Sequence, residues 1–309
     1  MKTVVPDHYN SFFCIADKCK HSCCIGWEID IDADTLHIYN NTREQFGIRL
    51  RNNIGYDGET AFFKLAENDR CPFLNERGLC DIITELGEDA LCNICADHPR
   101  FRNFLSDRTE IGLGLCCEAA AKLILSHCEP TTLITLEYYC ESEDCDPFEK
   151  EMLSKRDELF AIIKNRNLSL DERVSNILDT ANATLPEISF DKWADVYTKL
   201  ELLCPEWSDI ITLLYKEEEP KSNTELDTAY EQLLFYFIYR HVTSAEDKQD
   251  LAARVAFSVL GYKIIRSLCE RSGNSFDILC ELARMYSSEI EYSEDNTAKL
   301  IKLLKEAQK

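Results

Sequence analysis

Four cysteines, Cys71, Cys80, Cys92 and Cys95, lie in the run CPFLNERGLCDIITELGEDALCNICADHPR, separated by eight, eleven and two residues. Upstream stands a tight group, Cys14, Cys19, Cys23 and Cys24, spaced C-x4-C-x3-C-C, and downstream the adjacent pair Cys116 and Cys117. Ten of the sixteen cysteines therefore fall within Cys14–Cys117. Thiolates at such density are ligands for zinc or for iron–sulfur clusters. The segment MKTVVPDHYNSFF has no apolar leader, so the expected compartment is the cytoplasm, where thiols stay reduced. Metal or cluster binding is then favoured over disulfide or redox chemistry and over buried bystanders, and the adjacent pairs fit a disulfide ladder poorly.

Zinc sites of four cysteines usually draw on C-x2–4-C knuckles. Here Cys92-x2-Cys95 has that spacing and Cys19-x3-Cys23 comes near it. The adjacent Cys23-Cys24, the Cys71-Pro72 start and the C-x8-C step favour a cluster, whose ligands can come from several loops. Ten thiols suffice for one cubane or two. The C-x3-C-x2-C signature of radical chemistry is absent, because Gly26 and Glu88 stand where its third and first cysteines would be. Gly112-x-Gly114 lacks a third glycine and reads as backbone crowding near the cysteines rather than a nucleotide fingerprint. No P-loop, HExxH or GxSxG sequence occurs.

With 309 residues, 45% hydrophobic and 29% charged, the chain has the composition of a globular protein with a sizeable core. A net charge of −22 argues against nucleic acid or an anionic membrane as partner, and is compatible with a basic, lysine-bearing one. No apolar run is long enough for a membrane span, and LLFYFIY reads as a buried helix segment.

The elements that must position these thiols follow in order. GWEIDID alternates Trp27, Ile29 and Ile31 with acids, as a half-buried strand does. Asp34 is the expected N-cap of a helix to about residue 46, residues 52–58 are turn-rich, and residues 60–65 form a strand. Residues 75–78 turn a hairpin that brings Cys71 and Cys80 together; residues 81–86 form a short helix closed by Gly87, and residues 89–95 a second. Strands at 101–105 and 109–115 lead to a helix at 118–127. The acidic stretch 137–151 is the expected domain boundary. Beyond it helices are expected at 148–165, 170–183, 190–203, 206–216, 225–242, 245–272, 275–291 and 294–305, with Thr224 and Asp227 resembling a capping box and 216–227 a linker. The expected fold is mainly α: a cysteine-rich cluster-binding region with short strands and hairpins over residues 1–130, and a helical domain over 131–309.

C-x4-C-x3-C-C followed by GWEIDID, then CPFLNERGLCDI, LCNICADHPRF and LCCEAAAKLIL in that order, resembles the flagellin lysine-N-methylase family. The similarity is firmest over about residues 9–127 and weaker through YEQLLFYFIYRHV and ARVAFSVLGYKIIRSL. The resemblance implies methyl transfer from S-adenosylmethionine to flagellin lysines, with a [4Fe–4S] cluster required. It implies cluster ligands drawn from Cys19, Cys23, Cys24, Cys71, Cys80, Cys92, Cys95 and Cys117, with Cys14 able to replace one. Cys116 is then a packed thiol, and Cys128, Cys140, Cys145, Cys204, Cys269 and Cys280 match no site. Methylating an amine needs no radical, in keeping with the missing motif. Trp27, through cation–π contact, and Glu28, Asp97 and Glu118, through charge, are weak candidates for the substrate end, and Arg100 for the donor's carboxyl. The plainer readings weigh more: core packing for Trp27, and pairing of the carboxylates with Arg100 and Arg102. No residues stand out as a pocket for S-adenosylmethionine. A non-catalytic iron–sulfur or zinc-binding interaction module and an electron-transfer protein are the alternatives.

Overall fold

The structure is a computed structural model that describes residues 1–138, 146–216 and 223–308. Its chain divides into two units, Phe13–Arg100 and Met1–Phe12 with Phe101–Lys309. This differs from a division at residue 130: the cysteine-rich segment interrupts the other unit's sequence instead of preceding it. Cys140, Cys145, the middle of the acidic stretch 137–151 and part of the 216–227 linker lie outside the described residues.

The first strand, β1 (Lys2–Pro6), belongs to the larger unit. Within Phe13–Arg100, β2 (Asp30–Ile31), helices α1 (Ala33–Asn41) and α2 (Glu44–Asn52), and strands β3 (Ile54–Asp57) and β4 (Thr60–Phe63) come before any of the four central cysteines. The three strands form an antiparallel sheet in the order β2-β4-β3, with Ile31 opposite Ala61 and Ile54 opposite Phe63. Its inner face carries Ile29, Ile31, Ile54, Ala61 and Phe63 onto Tyr39, Leu50, Phe73 and Ile82. The Phe63 and Phe73 rings meet edge to face at 5.0 Å.

The expected single helix from Asp34 is two helices, and its cap is Asp32, whose Oδ1 accepts from Thr35 N at 3.0 Å. The break follows from Arg51 on α2, whose Nη1 donates to the carbonyls of Tyr39, Asn40 and Thr42 at the end of α1. Gly47 permits the close approach: a Cβ there would lie 2.0 Å from the Thr42 carbonyl oxygen. The segment expected as a turn before residue 60 is strand β3, since the reversal itself needs only the left-handed Gly58, at φ +57°. After it, α3 (Asp81–Leu86) ends at Gly87 as expected. Residues 88–90 form a 3-10 turn, and the next helix, α4 (Asn93–Asp97), starts later than the sequence pattern suggests.

The larger unit adds β5 (Arg100–Phe104), β6 (Arg108–Leu113), α5 (Glu118–Leu125) and β7 (Leu133–Tyr138). Its sheet runs β5-β6-β1-β7, with β1 parallel to β6 and antiparallel to β7. Neither β1 nor β7 is evident from sequence. Gly112 of β6 is crowded by the Phe101 ring, where a Cβ would come within 2.2 Å, so its neighbour is an aromatic ring and not a thiol.

The helices α6 (Pro147–Ile163), α7 (Leu170–Thr180), α8 (Phe190–Tyr197), α9 (Pro205–Ile211), α10 (Asp227–His241), α11 (Lys248–Arg271), α12 (Phe276–Tyr286) and α13 (Glu294–Ala307) bring the described residues to thirteen α-helices, a mainly α fold. LLFYFIY lies in α10 and is buried throughout, and α11 packs along it. α8 stops six residues short of the expected end because Glu289 accepts from Leu203 N and Cys204 N, both at 2.9 Å, and Asn296 Oδ1 accepts from Glu201 N. The expected Thr224–Asp227 capping box is replaced by Asn223, whose side chain accepts from Glu225 N.

Candidate metal centre

Three of the four central cysteines of the Phe13–Arg100 unit sit at the start of a helix or turn. Cys80 is the N-cap of α3, where the nearby N–H groups of Ile82 and Ile83 act against burial. Cys92 is the N-cap of α4, and its carbonyl accepts from Cys95 N at 2.9 Å. Cys71 opens the turn into the hairpin, and its carbonyl accepts from Leu74 N at 3.1 Å. Backbone N–H groups near a sulfur favour its charged form.

The hairpin forms as the sequence suggests, with Leu74 bridged to Cys80, Asn75 N donating to Leu79 O at 2.9 Å, and Gly78 left-handed at φ +76°. Asn75 locks it, since its Oδ1 accepts from Arg77 N and Leu79 N while its Nδ2 donates to Asp81. Cys71 N donates to Cys24 O at 2.8 Å, which lays the upstream cysteine loop beside the hairpin.

Five thiols are linked by pairwise interactions, Cys24, Cys71, Cys80 and Cys95 among themselves and Cys92 through Cys95. Burial pushes Cys71 up to about 12, and the charges of Cys24 and Cys80 add to it. Burial likewise raises Cys80. Cys95 is raised, first because its S–H donates to Cys92, then by burial and by the charges of Cys92, Cys24 and Cys71; the same bond lowers Cys92. Cys24 is held down to about 7, foremost by a hydrogen bond from Cys23 that outweighs burial, with Ser22 and the Arg70 guanidinium assisting.

Sequence reasoning missed the residues that hold this arrangement. Asp32 Oδ2 accepts from Asn93 N at 2.8 Å, so one carboxylate caps α1 and fixes the start of α4. Buried Tyr39 donates to Ala90 O at 2.8 Å, its hydroxyl pushed up by burial and by Cys92, Cys95 and Cys80. Arg49 joins Asp81 at 2.7 Å to Pro72 O at 2.6 Å and lies over the Phe73 ring. The cap signal of Asp32 was available in GWEIDID; the long-range partners of Tyr39 and Arg49 were not.

The expected ligands thus divide. Cys24, Cys71, Cys80, Cys92 and Cys95 converge, and Cys23 reaches them through Cys24. Cys19 Sγ donates to His21 O at 3.3 Å, and exposed Cys14 accepts from Ala16 N. Cys117 lies in the other unit as the N-cap of α5. Cys116 is the packed thiol expected, pushed up to about 12 by burial beside Tyr292 and Arg240. Of the remaining described cysteines, Cys269 and Cys280 are buried, whereas Cys128 is exposed and Cys204 is half-buried.

The weak catalytic candidates are divided between the two units. Trp27 is half-buried on the unit's core, its Nε1 donating to Cys23 O at 2.5 Å and its ring 6.1 Å from that of His98. Burial, then Arg100, lowers His98 to about 4. Glu28 is exposed, and Asp97 is half-buried at the end of α4. Arg100 Nη1 approaches the carbonyls of Ala96 and Asp97 at 3.4 and 3.5 Å. Glu118, in the other unit, pairs with Lys122 at 3.6 Å.

Comparison with known proteins now bears on the chain. Residues 206–309 match the sequence profile of the FliB lysine N-methylase C-terminal domain. A protein of Salmonella typhimurium named lysine-N-methylase is 28% identical over 129 residues, which cover 39% of this chain and 32% of that protein. A protein of Salmonella muenchen named flagellar biosynthetic protein FliU shows the same identity over 39% of this chain and 75% of its own length. The chain therefore spans about a third of the length of the lysine-N-methylase it matches. The profile falls on α9–α13, the region where the motifs alone resemble the family less. No solved structure matches the chain. Among the described residues, no helix is long and apolar enough to cross a membrane.

Proposed function

We propose that the chain, whose residues 206–309 match the FliB lysine N-methylase C-terminal domain, acts as its relatives are named and transfers methyl groups from S-adenosylmethionine to lysine side chains of flagellin in the cytoplasm, with a [4Fe–4S] cluster held in the Phe13–Arg100 unit. The family match at residues 206–309 carries the activity. The convergence of Cys24, Cys71, Cys80, Cys92 and Cys95 supports the cluster.

The donor set fits that group. A tetrahedral zinc ion with bonds of about 2.3 Å would draw its sulfurs to about 3.8 Å from one another. An iron–sulfur cubane takes thiolates from several loops, and these five come from the upstream loop, the hairpin and the starts of α3 and α4, which supports a cluster over a single zinc ion. Four of the five would be its ligands, with Cys23 or Cys19 as the neighbouring reserve. When bound, such a cluster would supply a rigid anchor for these loops.

The protein's own residues do the rest. In the transfer, the neutral lysine nitrogen forms a bond to the methyl carbon as the carbon–sulfur bond breaks; the donor leaves as a thioether and the nitrogen's proton passes to water. Nothing in that step requires a side-chain nucleophile, so the protein's task is to align the two reactants and strip water from the amine. The excess of 56 acidic over 34 basic residues gives a field that draws a lysine-bearing partner in.

Anaerobic purification followed by absorbance spectroscopy, then mass spectrometry of flagellin incubated with the protein and S-adenosylmethionine, tests this reading. A brown protein with broad visible absorbance and donor-dependent methylation of flagellin lysines is expected. Colourless, zinc-loaded protein would refute the cluster, and unmodified flagellin would refute the activity.

A further inference from the structure

In the larger unit, well apart in sequence from the central cysteines, three metal-type donors meet. Asp7 and His8 follow β1, and His127 follows α5. Asp7 Oδ1 stands 3.7 Å from His8 Nδ1 and 3.4 Å from His127 Nε2, and all three atoms lie within 4.8 Å of one another. The His8 side chain is only 6% exposed, and the side chains of Asp7 and His127 are 27% and 24% exposed. None of the three atoms has a hydrogen-bond partner, although each is shielded from solvent. A buried polar atom left unpaired is costly, so three converging on one point mark a place where something binds.

We propose that Asp7, His8 and His127 bind one divalent transition-metal ion of the zinc, cobalt or nickel class, separately from the thiol centre. Bonds of about 2.0–2.2 Å around a tetrahedral ion set neighbouring donors about 3.4 Å apart, close to the separations from Asp7 Oδ1. Two imidazoles and a carboxylate suit these ions and leave a fourth position open, toward the more exposed Asp7 and His127. The supports behind the ligands are built accordingly. Asp7 Oδ2 accepts from Thr132 N at 3.1 Å and Thr132 Oγ1 at 2.8 Å, which turns Oδ1 toward the imidazoles. Gln232 Nε2 donates to the carbonyls of His127 and Glu129, and Gln232 Oε1 accepts from Thr131, fixing the connection that carries His127.

A plain ion pair does not account for the arrangement. The separations come without a hydrogen bond at His8 Nδ1 or His127 Nε2. Lys164 lies within electrostatic reach of Asp7 and opposes a cation there, so its charge tempers affinity.

The test is an anaerobic cobalt(II) titration of the full chain with its thiol centre loaded. Expected is one further equivalent with weak visible bands and no intense sulfur-to-cobalt absorption. That equivalent should survive Cys95→Ser and weaken ~100-fold or be lost in His8→Asn and His127→Gln. Thr132→Val, which removes the hydroxyl's hydrogen bond to Asp7 while leaving all three ligands, should weaken binding ~10-fold and keeps the test decisive if a ligand variant fails to fold. Cobalt bound only with thiolate absorption, or bound equally by the native, His127→Gln and Thr132→Val proteins, would overturn the proposal, leaving an ordered water as the occupant.

Discussion

Arg156 and Glu110 face each other as a two-point ion pair, Nη1 to Oε2 at 2.6 Å and Nη2 to Oε1 at 2.7 Å, with 1% and 0% of their side chains exposed. The pair ties α6 to the central strand β6, and the guanidinium also lies over the Phe160 and Tyr239 rings. Removing one partner strands a buried charge. Glu110→Ala should therefore lose about 3–5 kcal/mol in denaturant melts, while Glu110→Met with Arg156→Met should recover much of it. A double variant as unstable as the single one would show that the pair itself, and not the stranded charge, sets the stability.

Acid should loosen the larger unit at a defined place. Burial alone would raise the Glu291 carboxyl, but Arg240 at 3.4 Å and His241 at 2.5 Å overcome it and hold it down to about 2. A carboxylate depressed in the folded state contributes stability that is whole above its ordinary value of 4.5 and drains away as pH falls toward 2. His241, lowered by burial, works in the same direction on the acid side of its ordinary value of 6.5. Melting temperature against pH should fall through these ranges. Glu291→Gln should lower it at neutral pH and flatten the slope between 4.5 and 2; an unchanged slope would mean that other carboxylates dominate.

The cysteines should sort by position. Serine at Cys71, Cys80 or Cys95 should cost most of the bound iron after anaerobic purification, whereas Cys116→Ser and Cys280→Ser should retain it. Exposed Cys14 is the discriminating case, since full iron in Cys14→Ser places it outside the ligand set. Iron unaffected by any of the converging thiols would remove the centre from this unit.

Which of these features could be read from the sequence depended on how far apart the partners lie. The Cys71–Cys80 hairpin is visible because Asn75 and Gly78 act within four residues, and α10 because its burial is written in its own apolar run. Strand β1 was not legible: KTVVP is short, and both neighbours, β6 and β7, come more than a hundred residues later. α8 was read too long because its apolar period continues through Leu200 and Leu203. What ends it is Glu289, an acceptor that no local pattern announces. The thiols could be counted but not grouped, and Asp7, His8 and His127 passed unnoticed because two lie on β1's edge and the third follows a helix.

Gly112 offers a sharper steric case. A methyl group there would meet the Phe101 ring at 2.2 Å, and that ring also touches Tyr236 and Tyr239 and carries Arg240 above it. Gly112→Ala should cost about 1–3 kcal/mol. Phe101→Leu should relieve part of that cost in the double variant, and additive losses would place the clash elsewhere.

Asp32 and Asp34 differ although both precede or open α1. Asp32→Ala frees the N–H groups of both Thr35 and Asn93, at about 1 kcal/mol each, and should loosen Cys92 enough to reduce retained iron. Exposed Asp34→Ala should stay within about 0.5 kcal/mol. Equal effects would return the cap to the position the sequence pattern favoured.

The order in which the chain emerges from the ribosome gives the interrupted sheet a further meaning. β1 is made first, yet its partners Arg108–Leu113 and Leu133–Tyr138 appear only after all of Phe13–Arg100. Closing that gap with unfolded chain would cost about 4 kcal/mol in loop entropy. A cysteine segment already folded around its ligands removes most of that freedom in advance. The folding of Phe13–Arg100 would then govern how quickly the first strand finds its place.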